Sequence, residues 1–145
     1  MFETILYPTD FSEVAVKALA YIKKLRTSGA REVIVLHVND QRGNESVIRI
    51  LGESQFNKLN ESKMEMTEKK LNAIKKELVE AGLQVRLRIE TGMPVREILR
   101  VEGEEDVSVT VIGSHGRSNL EEMFLGSVSE KVIRKSKKPV FVIKR

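Results

Sequence analysis

The sequence predicts an α/β protein, a doubly wound parallel sheet of five strands with helices on both faces. Three observations predict it. Short aliphatic runs alternate with longer stretches of helical periodicity in the order β-α-β-α-β-α-β-α-β. The helical stretches are long enough for right-handed crossovers between parallel strands. Several strands are apolar throughout rather than alternating, as strands covered on both faces are.

Thr4 to Tyr7 is an apolar run stopped by Pro8, and the following PTDFSE opens a helix with Ser12 as N-cap. Ala15, Ala18, Leu19, Ile22 and Leu25 give that helix one apolar face, and Gly29 is placed to end it. Val33 to Val38 is a second buried strand, ending at Asn39-Asp40. From Gln41 to about Asn57 the chain reads as polar and irregular, with room for a short helix around Val47, Ile48, Ile50 and Leu51. A long helix follows, its apolar stripe Met64, Leu71, Ile74, Leu78 and Ala81 assigned to the core, and Gly82 stops it. The third strand alternates Val85, Leu87 and Ile89 with Arg86 and Arg88, so it belongs at a sheet edge, where the arginines discourage pairing. Thr91-Gly92-Met93-Pro94 is expected to turn into a helix with Val95, Ile98 and Leu99 inward, ended by Gly103 and the acids after it. Strand four is VSVTVIG, a helix covers SVSEKVIRKS, and Pro139 leads into the last strand, Val140 to Lys144. An edge position for strand three suits the order 3-2-1-4-5 or its relative 2-1-3-4-5.

The 145 residues, 41% of them hydrophobic, suit a single domain over 1–145. No apolar run reaches the roughly 18 residues a membrane span needs, and MFETILYPTD lacks the layout of a signal peptide, so the expected location is cytoplasmic. Zero cysteines exclude disulfides, thiolate metal sites and a cysteine nucleophile, and two histidines leave little for an all-protein zinc site. The formal charge of +4 comes from charges of mixed sign spread along the chain, with few aromatic residues. Nucleic acid is therefore not the expected partner. The basic group Lys131, Arg134, Lys135, Lys137 and Lys138 is explained by cations favouring a helix C-terminus.

In such sheets the ligand crevice lies at the carboxyl ends of the strands where the order reverses, which for 3-2-1-4-5 is between strands one and four. Strand one ends in Pro8-Thr9-Asp10, and strand four in Gly113-Ser114-His115-Gly116. Asp10 suits a ribose hydroxyl or a base amino group and would repel a phosphate. Gly113, Gly116, Arg117 and the helix N-terminus at Gly126-Ser127, with the Ser127 and Ser129 hydroxyls, suit phosphate. The competing explanation is helix capping, since Ser127-Val128-Ser129-Glu130 and Ser118-Asn119-Leu120-Glu121 both have the S-x-x-E form. A P-loop, a dinucleotide fingerprint after strand one and a flavin phosphate loop are all missing from the sequence.

Gly113-x2-Gly116-x9-Gly126-Ser127, together with ILYPTDFSEVAVKAL, VIVLHV, TGMPVREIL and KSKKPVFVIKR, resembles the universal stress protein family in its ATP-binding branch. The resemblance covers nearly the whole chain apart from about Gln41 to Asn60. It implies a Rossmann-like 3-2-1-4-5 sheet, an adenine nucleotide (ATP, or AMP or ADP) with Mg²⁺ held by the phosphates, and homodimers pairing through the last strand, Val140 to Ile143. Carried over by position, Pro8, Asp10 and the backbone around Val38 would hold adenine and ribose, with Gly113 beside the ribose. Gly116, Arg117, Gly126, Ser127, Val128 and Ser129 would surround the phosphates, while Thr9, Ser114 and His115 line the same turns. The implied function is a nucleotide-binding stress-response regulator. The alternative is a slow ATP hydrolase, for which His115 is the base within reach of neutral pH. No catalytic residue is assigned, because no acid partner for His115 and no loop lysine is evident.

Overall fold

In the computed structural model, which describes residues 1–114 and 126–145, five parallel strands lie in the order β3-β2-β1-β4-β5. They are β1 (Thr4–Pro8), β2 (Glu32–Asp40), β3 (Gln84–Gly92), β4 (Val109–Gly113) and β5 (Val140–Ile143). The helices are α1 (Glu13–Leu25), α2 (Asn44–Leu51), α3 (Glu53–Glu80), α4 (Pro94–Glu104) and α5 (Ser127–Lys135). The expected doubly wound sheet is present, and of its two candidate orders the chain adopts 3-2-1-4-5.

Successive strand residues point to opposite faces, so the central strands feed two cores. Ile5, Tyr7, Val33, Val35, Val109 and Val111 pack with Ala18, Leu19 and Ile22 of α1 and Leu71, Ile74 and Leu78 of α3. Leu6, Ile34, Leu36 and Ile112 pack on the other face with Ile98 and Val101 of α4 and Val132 of α5. Each fully buried aliphatic side chain contributes about 1.5–3 kcal/mol.

Several boundaries differ from the sequence expectation. The short helix expected around Val47 to Leu51 is α2, but the rest of the stretch expected as irregular is helical too: α2 ends at Gly52, whose φ of +85° breaks the helix, and α3 begins at once. No residue from Gln41 to Met66 is buried, so this arm has no core-facing pattern to read. Strand β3 runs on to Gly92, pairing Thr91 with Asn39 and Gly92 with Asp40, where a turn was expected. Gly103 lies inside α4, whose C-cap is Glu105. Pro94 opens that helix as expected.

The β3 arginines fulfil their edge role through ion pairs. Arg86 pairs with Glu32 and Glu105, and Arg88 with Glu90, Glu104 and Glu105. Arg100 of α4 joins through Glu90, Glu97 and Glu104. The hydrogen bond from Arg86 holds the Glu105 carboxyl below the usual carboxylate range. These pairs are largely solvated, so their stabilisation is modest and weakens with salt.

Tyr7 is fully buried under α1, and its hydroxyl donates to the Ala15 carbonyl. Burial pushes the phenol up to about 12 from 10.0. Because the folded-state value is raised, its contribution is complete below pH 10 and is lost as pH rises towards 12. The loss amounts to about 2–3 kcal/mol. Urea unfolding of wild type and Tyr7→Phe across this window is expected to give crossing curves, the variant starting about 1 kcal/mol less stable, falling less steeply and ending the more stable of the two. Parallel curves would assign the alkaline loss to other groups.

Candidate functional site

The turn after β1 is built from its own side chains. Thr9 Oγ1 accepts from the Phe11 N–H at 3.0 Å, Asp10 Oδ1 from the Ser12 N–H at 2.9 Å, and Ser12 Oγ from the Ala15 N–H at 3.3 Å. Ser12 is thus the N-cap of α1, as expected. The price is borne at Phe11, whose φ of 63° is unusual for a residue with a side chain. His37 Nδ1 lies 2.9 Å from the Thr9 carbonyl and donates to it, since a carbonyl only accepts. The Phe11 and His37 rings stack with centroids 4.8 Å apart.

Across the switch point stands the end of β4. Gly113 is there for packing: a Cβ would lie 2.9 Å from Val14 Cγ1 and 3.3 Å from the Ala15 nitrogen. Its missing side chain therefore lets α1 close on β4, a reason the sequence did not reveal. The Gly113 carbonyl accepts from Ser129 Oγ at 2.5 Å, and the Ser114 carbonyl from the Gly126 N–H at 2.6 Å. Two bonds therefore pin the N-terminus of α5 to the end of β4.

The capping explanation is corrected here. Gly126, not Ser127, is the N-cap of α5, and having no side chain it contributes no capping bond. Ser127 is the first helical residue. The first helical bond at this end runs from the Glu130 N–H to the Gly126 carbonyl, so the N–H groups of Ser127, Val128 and Ser129 precede the helical ladder. They carry the positive end of the helix dipole. Ser129, proposed as a phosphate donor, uses its hydroxyl to position the helix.

The turn after β1, the end of β4 and the N-terminus of α5 line one cavity of about 770 Å³ at the carboxyl ends of the strands. Of the residues singled out in the sequence, it brings together Pro8, Thr9, Asp10, Val38, Gly113, Gly126, Ser127, Val128 and Ser129. Ser114 is buried at the end of β4 and is not part of the lining. His115, Gly116, Arg117 and the second S-x-x-E stretch at Ser118 lie outside the described residues. Sequence reasoning missed the wall formed by α3, where Lys63, Met66, Thr67 and Lys70 face the cavity. Their i, i+3, i+4, i+7 spacing was legible as one helix face, but the apolar stripe drew attention to the core instead. Among the described residues no cluster of three or more His, Asp and Glu side chains is placed to hold a metal ion.

A parallel sheet with a cavity at its topological switch point, an acid on one wall and a helix N-terminus on the other, places the chain among the open α/β proteins, whose ligands bind at that point. Residues 1–144 match the model of the universal stress protein family, and the chain belongs to that family. It is 45% identical over 156 aligned residues to the universal stress protein MJ0577 of Methanocaldococcus jannaschii, covering 100% of this chain and 96% of the relative. The solved structure of MJ0577 superposes with a TM-score of 0.88 at 46% identity, covering 100% of this chain and 97% of that one. A universal stress protein of Archaeoglobus fulgidus in complex with dAMP superposes with a TM-score of 0.65 at 21% identity, covering 99% and 98%. One in complex with cAMP does so with a TM-score of 0.65 at 22% identity, covering 99% and 97%. The last two likenesses are of fold. Among the described residues no helix is long and apolar enough to cross a membrane.

Proposed function

We propose that this chain is an adenine-nucleotide-binding regulatory protein, taking ATP or a related adenine nucleotide in the cavity between β1 and β4, with Mg²⁺ carried by the phosphates. The observation that carries this reading is the division of the cavity: Asp10 and Val38 line one side, and the N-terminus of α5, with glycine at its N-cap, lines the other. The first side suits adenosine, the second its phosphates. The dAMP and cAMP complexes of the same fold are consistent with it. A role in responding to nucleotide level, rather than rapid turnover, fits a lining whose phosphate side, among the described residues, offers the α5 backbone N–H groups and the Ser127 hydroxyl. The same proposal includes a homodimer through β5, an edge strand with the apolar sequence Val140-Phe141-Val142-Ile143.

One sample tests both parts. Native mass spectrometry of protein purified without added ligand is expected to show a dimer of the 16.5 kDa chain carrying an adenine nucleotide, with ATP binding confirmed by calorimetry. Absence of nucleotide together with silence on titration with ATP would reject the ligand. A monomer at micromolar concentration would reject the pairing of β5 strands.

A further inference from the structure

The ladder between β1 and β2 stops short of where its register would carry it. The Thr9 N–H donates to the Leu36 carbonyl at 2.8 Å, which continues the pairing past Pro8 and sets Thr9 opposite His37. In a regular parallel ladder the Val38 N–H would next donate to the Thr9 carbonyl, and the Phe11 N–H to the Val38 carbonyl. Neither bond forms. The Thr9 carbonyl accepts from His37 Nδ1 at 2.9 Å instead, and the Phe11 N–H donates to Thr9 Oγ1 at 3.0 Å. The chain turns away at Phe11, with its φ of 63°, and the Phe11 ring stacks on the His37 ring. The side chains of His37 and Thr9 thus take both places that the Val38 backbone would fill.

This diversion leaves the Val38 N–H and carbonyl on the β1 side of β2. The Leu36 carbonyl points to that side, and backbone groups two residues apart on a strand point the same way, so those of Val38 face away from β3. Val38 lines the cavity, and Leu36, Pro94 and Ile98 beside it give apolar surface of the kind that the face of a purine ring takes. A backbone donor and acceptor from one residue, held side by side without a partner in β1, form a fixed hydrogen-bonding edge at that wall.

We propose that His37 and Thr9 are positioning residues for base recognition: by holding the ladder open they present the Val38 N–H and carbonyl to the base, so that the cavity takes adenine and rejects hypoxanthine and guanine. This inference deepens the adenine-nucleotide reading above and rests on it. Adenine has an acceptor at N1 and a donor in its 6-amino group, the complement of that pair, whereas hypoxanthine and guanine have a donor at N1 and an acceptor at O6. The reversed base sets donor against donor and acceptor against acceptor in a site that excludes water.

Calorimetry with ATP and inosine 5′-triphosphate tests it, because the two share sugar and phosphates and differ only at that edge of the base. Wild type is expected to bind ATP about a hundredfold more tightly, from two hydrogen bonds worth about tenfold each. His37→Phe keeps a ring against Phe11 but has no N–H for the Thr9 carbonyl, and Thr9→Val has no acceptor for the Phe11 N–H. Each variant is expected to let one ladder bond close on Val38 and to cut the preference to about tenfold. His37→Gln returns an N–H donor and is expected to keep most of the preference. A purely structural role would weaken both nucleotides alike and leave their ratio unchanged. The two substitutions act on different bonds, so one that does not fold leaves the other to decide. A wild-type preference under about threefold, or a wild-type ratio that persists in the folded variants, overturns the positioning role while leaving the nucleotide site standing. No binding of either nucleotide to wild type overturns the adenine-nucleotide reading and this inference with it.

Discussion

Gly113→Val is expected to lower the melting temperature by roughly 3–10 °C and to weaken adenine-nucleotide binding at least tenfold. The first effect is overpacking, which costs about 1–3 kcal/mol in a close-packed core, and each kcal/mol shifts a chain of this size by a few degrees. A Cβ at Gly113 would lie 2.9 Å from Val14 Cγ1, 3.3 Å from the Ala15 nitrogen and 3.4 Å from the Val14 carbonyl carbon. Val14 is stiff at χ1 and 4% exposed, so it cannot rotate away, and the helix itself has to move. The second effect follows from what that movement carries. The first turn of α1 is tied to Asp10 through the Ser12 N–H, and the Gly113 carbonyl is tied to α5 through Ser129. Displacing either shifts both proposed halves of the cavity. Thermal unfolding and calorimetry with ATP check the two effects separately, and Gly113→Ala should show a milder version of each. A Gly113→Val protein that melts like wild type would mean that α1 is not seated against β4 as described.

Glu102→Ala is expected to cost about 3 kcal/mol in urea unfolding, far more than a surface acid on a helix. Glu102 is 3% exposed and belongs to none of the ion pairs among the described residues. Its carboxylate is held by hydroxyls. Thr110 Oγ1 donates at 2.7 Å, and Ser136 Oγ approaches its two oxygens at 2.7 and 2.8 Å. These three residues come from α4, β4 and the turn before β5, so the carboxylate joins the second core to the edge strand. Truncation leaves the buried Thr110 hydroxyl without its acceptor and the half-buried Ser136 hydroxyl with only the Lys138 carbonyl, and it opens a void beside them; the lost acceptor and the void are each worth about 1–3 kcal/mol. Glu102→Gln keeps one acceptor oxygen and should cost about 1 kcal/mol. A Glu102→Ala protein within 0.5 kcal/mol of wild type, about the range of ordinary surface changes, would show that water replaces the carboxylate.

The strands, the order of elements and the edge position of β3 were legible because burial writes itself into the sequence. Val33 to Leu36 are buried on both faces, whereas β3 carries its arginines on one. The start of α3, from Glu53 to Asn57, was not legible for the converse reason. With no residue facing a core, no apolar period marks where the helix begins, although it forms. The termini of α5 and α4 show a different limit. Ser127 and Gly103 have the residue types of a cap and a stop, but position along the helix is set by what its ends touch. Gly126 bonds to Ser114, and the α4 acids pair with the β3 arginines.

By itself the sequence determined the doubly wound parallel sheet, the strand ends Pro8 and Gly113 that flank its switch point and the resemblance to the universal stress proteins. Each of these depends on local chemistry, such as apolar period, proline, glycine and cap residues along a short stretch. Only the tertiary structure decided why Gly113 has no side chain, that Ser129 positions the helix, and that Lys63, Thr67 and Lys70 form a wall of the cavity. Those facts depend on contacts between residues far apart in the chain, and spacing along the sequence does not encode distance across a fold.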